Sequence, residues 1–198
     1  MTTATTCWIL LALTLSASLI PGSHPLSEKD ALIAFKKSLT DPLNVLKTWD
    51  ARKPNPCSWA HVTCNSQNKV IGLFLIGSQL SGHLVPELGS LSSLVQMIMD
   101  QNEISGPIPA ELGNLKALHT MILSYNGLSG SIPPSFGNLQ SLTTLGLDNN
   151  QLSGRIPSQI ANIRTLKIAA FNDNKALCWE FRPTPVFRGD YPICPKKQ

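Results

Sequence analysis

Between Val70 and Thr165 the apolar and polar positions fall into one pattern that returns every 24 residues. Leu94, Leu118 and Leu142 share one column. The same step links Asn102, Asn126 and Asn150, then Gly106, Gly130 and Gly154, then Pro109, Pro133 and Pro157. A fixed period of this size means stacked repeats, in which each unit leaves an apolar face that only its neighbours can cover.

The stretch Leu94-Val95-Gln96-Met97-Ile98-Met99-Asp100-Gln101-Asn102-Glu103-Ile104-Ser105-Gly106-Pro107-Ile108-Pro109 resembles the plant-type leucine-rich repeat, L-x-x-L-x-L-x-x-N-x-L-S-G-x-I-P-x-x-L-G-x-L. The resemblance implies an α/β repeat fold: a right-handed leucine-rich-repeat solenoid of about five 24-residue repeats with a disulfide-bonded cap at each end. The first, fourth, sixth, ninth and eleventh positions point inward, so Leu118, Met121, Leu123, Asn126 and Leu128 form one layer of the core. Each apolar member contributes roughly 1.5–3 kcal/mol on burial. The amide of Asn126 is expensive to bury unless all its hydrogen bonds are made, and a column of Asn can make them with neighbouring turns. Asn149, one residue before the column, is expected to tolerate Ala. Gly130 permits the bend after the turn, and Pro133 is expected at the edge of a short strand.

Strand alternation turns the third, fifth and seventh positions toward a concave, solvent-facing sheet. Phe74, Ile98 and Ile122 lie down the fifth column before Gly146 and Ala170; Ile76, Asp100, Ser124, Asp148 and Asn172 lie down the seventh. Phe74, Ile76, Ile98 and Ile122 are expected to form an apolar patch bordered by Tyr125, the form an interface takes. With Asp100, Ser124, Asp148 and His61 they are the candidate partner-binding residues.

Ahead of the repeats, Cys7 to Ile20 is too short to span a membrane and reads as the apolar region of a secretory signal peptide, placed at 1–24. Its removal leaves Cys57, Cys64, Cys178 and Cys194, two pairs flanking the repeats, which suggests two local disulfides. Zinc is the alternative for four Cys, but these separations lack the C-x2-C spacing of such sites, and no metal is expected. From Ser27 a helix is expected, with Ser27 as its N-cap and Leu32, Phe35 and Leu39 on one side, ending at Asp41-Pro42. Trp49 and Trp59 are expected to seal the first repeat. The expected organisation is an N-terminal cap at 25–69, repeats at 70–177, and a C-terminal cap and tail at 178–198.

The cap phrase Cys57-Ser58-Trp59-Ala60-His61-Val62-Thr63-Cys64 and the first-repeat phrase Leu80-Ser81-Gly82-His83-Leu84-Val85-Pro86-Glu87-Leu88-Gly89 resemble the ectodomain of the somatic embryogenesis receptor kinases. The resemblance implies protein contacts through an aromatic just before the cap His and another on the second repeat's inner face. Here those positions hold Ala60 and Asp100, and His61 is kept. The family continues through a linker, a membrane span and a kinase, whereas this sequence ends at Gln198, so a short secreted form that does not signal inward by itself is expected.

Charge narrows the reading. The net charge is +4, with seven bases against four acids over 25–69, five against six over 70–177 and four against two over 178–198. A repeat surface this close to neutral argues against nucleic acid, which needs a basic stripe with matching aromatics. His24, His61, His83 and His119 share no repeat position, and no Ser-His-Asp, paired-carboxylate or phosphate-cradling motif accompanies them. Neither an enzyme nor a cofactor is expected. No Asn-x-Ser/Thr triplet occurs to place a glycan over either face. The expected protein is a secreted monomer of the apoplast or cell wall, without a transmembrane segment, peripheral at the outer face of the plasma membrane. It is expected to bind a receptor ectodomain or peptide and to modulate plant signalling or defence. The alternative is an inhibitor of a wall-degrading hydrolase resembling the polygalacturonase-inhibiting proteins.

Overall fold

The sequence period becomes a period of parallel strands. In a computed structural model that describes residues 26–195, the strands Val70–Phe74, Gln96–Ile98, Thr120–Ile122, Thr144–Gly146 and Ile168–Ala170 pair in chain order. Leu73, Met97, Met121, Leu145 and Ala169 are register partners across them. Val62–Cys64 closes one end of this sheet antiparallel, and Phe187–Arg188 closes the other in parallel. The expected signal segment and the final three residues lie outside the described residues, among which no helix is long and apolar enough to cross a membrane.

Each turn of the coil carries a second strand and a short helix. Ser81–His83, Glu103–Pro107, Gly127–Gly130, Gln151–Ile156 and Ala176–Trp179 form the second sheet. The 3-10 helices Pro86–Ser90, Ala110–Asn114, Pro134–Asn138 and Ser158–Asn162 follow the first four of them. Pro109, Pro133 and Pro157 occupy the N-cap position of such helices at φ between −62° and −64°. The expectation that Pro133 sits at a strand edge is therefore corrected. Its fixed φ and missing N–H suit the entry to a helix equally well, and the strand before it ends at Gly130.

Leu118, Met121, Leu123 and Leu128 are buried, as the inward assignment requires. Between them runs a ladder of Asn side chains. Asn126 Oδ1 accepts from Ile104 N at 3.0 Å, and its Nδ2 donates to Met99 O and Leu123 O at 3.0 and 3.2 Å. Asn150 repeats the pattern with Leu128 N, Leu123 O and Leu147 O. Asn174 repeats it again with Leu152 N, Leu147 O and Phe171 O. Each amide thus ties its own turn to the preceding one, which removes the cost of burying it.

The caps stop the ladder at both ends. The N-terminal helix, Glu28–Lys37, begins where Ser27 Oγ accepts from Asp30 N. It ends at Ser38 rather than at Asp41-Pro42, because Leu39 and Thr40 pair with Gly82 and Ser81 instead. That pairing needs Gly82, at φ +121°, since a Cβ there would collide with the backbone of Ser38. Trp49 and Trp59 stack with ring centroids 5.5 Å apart, both buried, and Trp49 Nε1 donates to Ala60 O at 2.9 Å. At the far end Tyr191 substitutes for a further repeat: its hydroxyl donates to Phe171 O at 2.8 Å and accepts from Asn174 N at 3.0 Å. Trp179 is buried among Phe171, Phe181, Phe187 and Tyr191. Disulfides join Cys57 to Cys64 and Cys178 to Cys194, so these four sulfurs are bonded in pairs and offer no thiolate.

Candidate functional site: the concave sheet

The concave sheet takes its surface from positions that the strands cannot turn inward. Register places Phe74, Ile98, Ile122, Gly146, Ala170 and Arg188 in one row across six strands. Adjacent strands lie about 4.8 Å apart, so the first three members form a continuous apolar strip. Ile98 and Ile122 are half-buried, Ile76 in the next column is 51% exposed, and Tyr125 is 54% exposed. Arg188, which closes the row with a cation, belongs to no sequence repeat, and no periodic signal marks it.

Three of the expected site residues behave differently from a freely exposed column. Phe74 is half-buried because its ring folds back over Gly72, where any side chain would strike that ring and the Thr63 hydroxyl. The strip therefore starts lower at this end than alternation alone implies. Ser124 is buried, 5% exposed, and its hydroxyl donates to Asp148 Oδ1 at 2.6 Å. The solvent-facing placement that alternation predicts for it is therefore corrected: its side chain lies beneath the surface. Gly146 of the next repeat leaves the room into which Ser124 Oγ and Ile122 Cγ2 lean. Asp148 is half-buried and also accepts from Asn149 Nδ2 at 3.0 Å, so its carboxylate is held by its neighbours. Asp100, in the same column one repeat before Ser124, is half-buried.

His61 comes from the cap, yet its carbonyl accepts from Phe74 N at 2.9 Å, so it borders the first residue of the strip. It is exposed and held at φ +67°.

A further column was hidden in the sequence. The eighth positions Gly77, Gln101, Tyr125, Asn149 and Asp173 have φ of 56°, 58°, 54°, 52° and 54°. This left-handed conformation costs an ordinary L-residue roughly 1–2 kcal/mol, least for Asn and Asp. Tyr125, an exposed aromatic, is thus the member least suited to its backbone. Its N–H is fixed by Asp148 O at 3.0 Å.

Comparison with known proteins agrees with this architecture. The family described as "Leucine rich repeat N-terminal domain" matches residues 25–65, and the "Leucine Rich Repeat" family matches 117–139 and 141–163. Leucine-rich repeat protein 1 of Arabidopsis thaliana is 53% identical over 89 residues, 44% of this chain and 41% of that protein. The match thus spans about two fifths of the relative's length. The crystal structure of the BIR2 ectodomain from Arabidopsis thaliana superposes with a TM-score of 0.71 at 32% identity, covering 83% of this chain and 98% of that one. The crystal structure of PEPR1-AtPEP1 superposes with a TM-score of 0.72 at 35% identity, covering 75% of this chain but 21% of that one. With its cap, its repeats and a solved ectodomain matched over nearly its whole length, the chain belongs to the plant leucine-rich-repeat proteins that carry a leucine-rich-repeat N-terminal domain, homologous to receptor-kinase ectodomains.

Proposed function

We propose that this chain is an extracellular, non-enzymatic binding module whose concave sheet recognises a receptor ectodomain or a peptide and so modulates plant signalling or defence. The observation that carries the reading is the register of Phe74, Ile98 and Ile122, an apolar strip flanked by exposed Ile76 and Tyr125. An apolar patch with a polar rim is the common form of a protein interface. His61 and Asp100 lie at its borders; Ser124 and Asp148 stiffen the floor beside it. The likeness to a receptor ectodomain supports the same use of the fold. Two disulfides suit an oxidising compartment, in keeping with a signal peptide at 1–24, a cap at 25–69, repeats at 70–177 and a C-terminal cap beyond, in a monomer of the apoplast. The finer likeness to somatic embryogenesis receptor kinases rests on the cap and first-repeat phrases. The hydrolase-inhibitor alternative draws no support from the relatives named above.

The test is a pull-down from apoplastic fluid and plasma membrane with the parent chain and with Ile98→Asp. The expected partner is a receptor kinase ectodomain or peptide, lost in Ile98→Asp while the melting temperature stays close to the parent's. Ile160→Asp, at a fully buried position, is expected to unfold the chain. A hydrolase as the dominant partner, or normal binding by Ile98→Asp, overturns the reading.

A further inference from the structure

Away from the concave sheet, a cleft of about 530 Å³ opens between the N-terminal helix and the loop that returns along it. Its lining holds four cations, Lys36, Lys37, Lys47 and Arg52, against one carboxylate, Asp50, with Ile33 and Trp49 among the apolar members. Neither Asp50 nor Asp41 forms a direct ion pair with one of the lysines. Asp50 accepts both Nε and the terminal nitrogen of Arg52, at 3.0 and 2.8 Å. Asp41 spends its two oxygens on Val45 N and Leu46 N at 2.9 and 2.8 Å.

Lys36 is held rigidly and half-buried, its Nζ donating to Leu46 O at 2.8 Å and Trp49 O at 2.9 Å. An ammonium has three donors and two are committed, so one N–H remains for a ligand. Carbonyls orient the charge without neutralising it. Among the described residues no carboxylate forms a salt bridge with Lys36, Lys37 or Lys47. The helix C-terminus favours cations at Lys36 and Lys37, but Lys47 arrives from a separate turn and has no such reason to be there.

We propose that this cleft binds an acidic oligosaccharide, with carboxylates at Lys37, Lys47 and the third N–H of Lys36 and an apolar ring face toward Ile33. Lysine ammoniums are compact point charges, each suited to a single anionic group, and the one guanidinium of the lining is taken by Asp50. A saccharide with a carboxylate on each ring alternates single negative charges with apolar ring faces, which is the complement of this lining. The volume suits a small oligomer rather than a folded domain. The proposal goes beyond the concave-face reading and does not depend on it.

The test titrates the full chain with oligogalacturonate, with a neutral oligoglucan of equal length and with polyglutamate of equal charge. Oligogalacturonate is expected to bind saturably and more weakly as salt rises, while the neutral oligomer does not bind. The double variant Lys37→Gln/Lys47→Gln, at two exposed positions, is expected to lose about tenfold in affinity. Lys69→Gln/Lys175→Gln, which removes the same charge outside the cleft, is expected to bind as the parent does. Ile98→Asp is also expected to keep this binding, which separates failure here from failure of the concave site. The proposal is overturned if oligogalacturonate does not bind, if the two lysine double variants lose affinity equally, or if polyglutamate binds as tightly.

Discussion

Asn126 Nδ2 donates to the carbonyl of Met99, 27 residues earlier, at 3.0 Å, while its Oδ1 accepts from Ile104 N at the same distance. Both groups lie in the preceding turn, and Nδ2 also donates to Leu123 O of its own turn at 3.2 Å, so one side chain joins the two. Asn126→Ala removes the acceptor of Ile104 N and leaves Met99 O only the bond from Asn102 Nδ2, and it is expected to cost about 2 kcal/mol or more. Asn149→Ala was expected from sequence to be tolerated, but φ +52° changes that. Ala in the left-handed region should cost about 1 kcal/mol, and Asn149→Gly should recover most of it. Urea melts that rank Asn126→Ala and Asn149→Ala equally would remove the ladder from its central place.

The Asn column was legible in the sequence because its chemistry repeats with the period, and the same holds for the inward Leu and Met positions. The eighth column was not, since Gly77, Gln101, Tyr125, Asn149 and Asp173 share a backbone conformation and no side-chain chemistry. That conformation is set from outside, by bonds such as Tyr125 N to Asp148 O and Asn126 N to Asn149 O. The burial of Ser124 was illegible for a similar reason. Its burial depends on the missing side chain of Gly146 and on the oxygen of Asp148, both 22 or more residues ahead. Alternation along one strand carries no information about such a neighbour. Arg188 and the early end of the N-terminal helix belong to segments without a repeat register, where pairing with another strand decides the outcome.

The two stacked indoles of the N-terminal cap should respond unequally to loss of their N–H. Trp49 Nε1 donates to Ala60 O, so Trp49→Phe leaves that carbonyl without its indole partner and should cost about 1–3 kcal/mol. Trp59 Nε1 is buried and has no partner among the described residues. Trp59→Phe removes a donor whose burial is already unfavourable, which offsets part of the lost packing. Thermal melts should therefore place Trp59→Phe above Trp49→Phe. The reverse order would mean that Trp59 Nε1 has a partner in solution.

Asp50 offers a pH test of the cap. The side-chain hydrogen bond from Arg52, and then the Arg52 backbone N–H, lower its carboxyl from the ordinary 3.8 to about 2. A folded value below the unfolded one means that the contribution to stability is present above 3.8 and disappears as pH falls through about 2. Carboxyl-carbon NMR should show Asp50 titrating near the lower value, and Arg52→Gln should move it upward. A titration unchanged by Arg52→Gln would remove the bidentate pair as the cause.

Tyr125 combines a backbone cost with an exposed ring. At φ +54° an aromatic L-residue is strained, and it is 54% exposed, so burial returns little of that cost to the folded chain. Strain of this kind tends to persist where it serves a site, and Tyr125 borders the strip formed by Ile98 and Ile122. Tyr125→Asn keeps a side chain that accepts the left-handed region and should raise stability by about 1 kcal/mol. The same substitution removes the one large aromatic at the border of the strip and should weaken partner binding. Melting temperature and affinity are thus expected to move in opposite directions. A stabilised variant that binds its partner normally would place Tyr125 outside the interface, and a variant with unchanged stability would mean that the bond from Tyr125 N to Asp148 O already absorbs the strain.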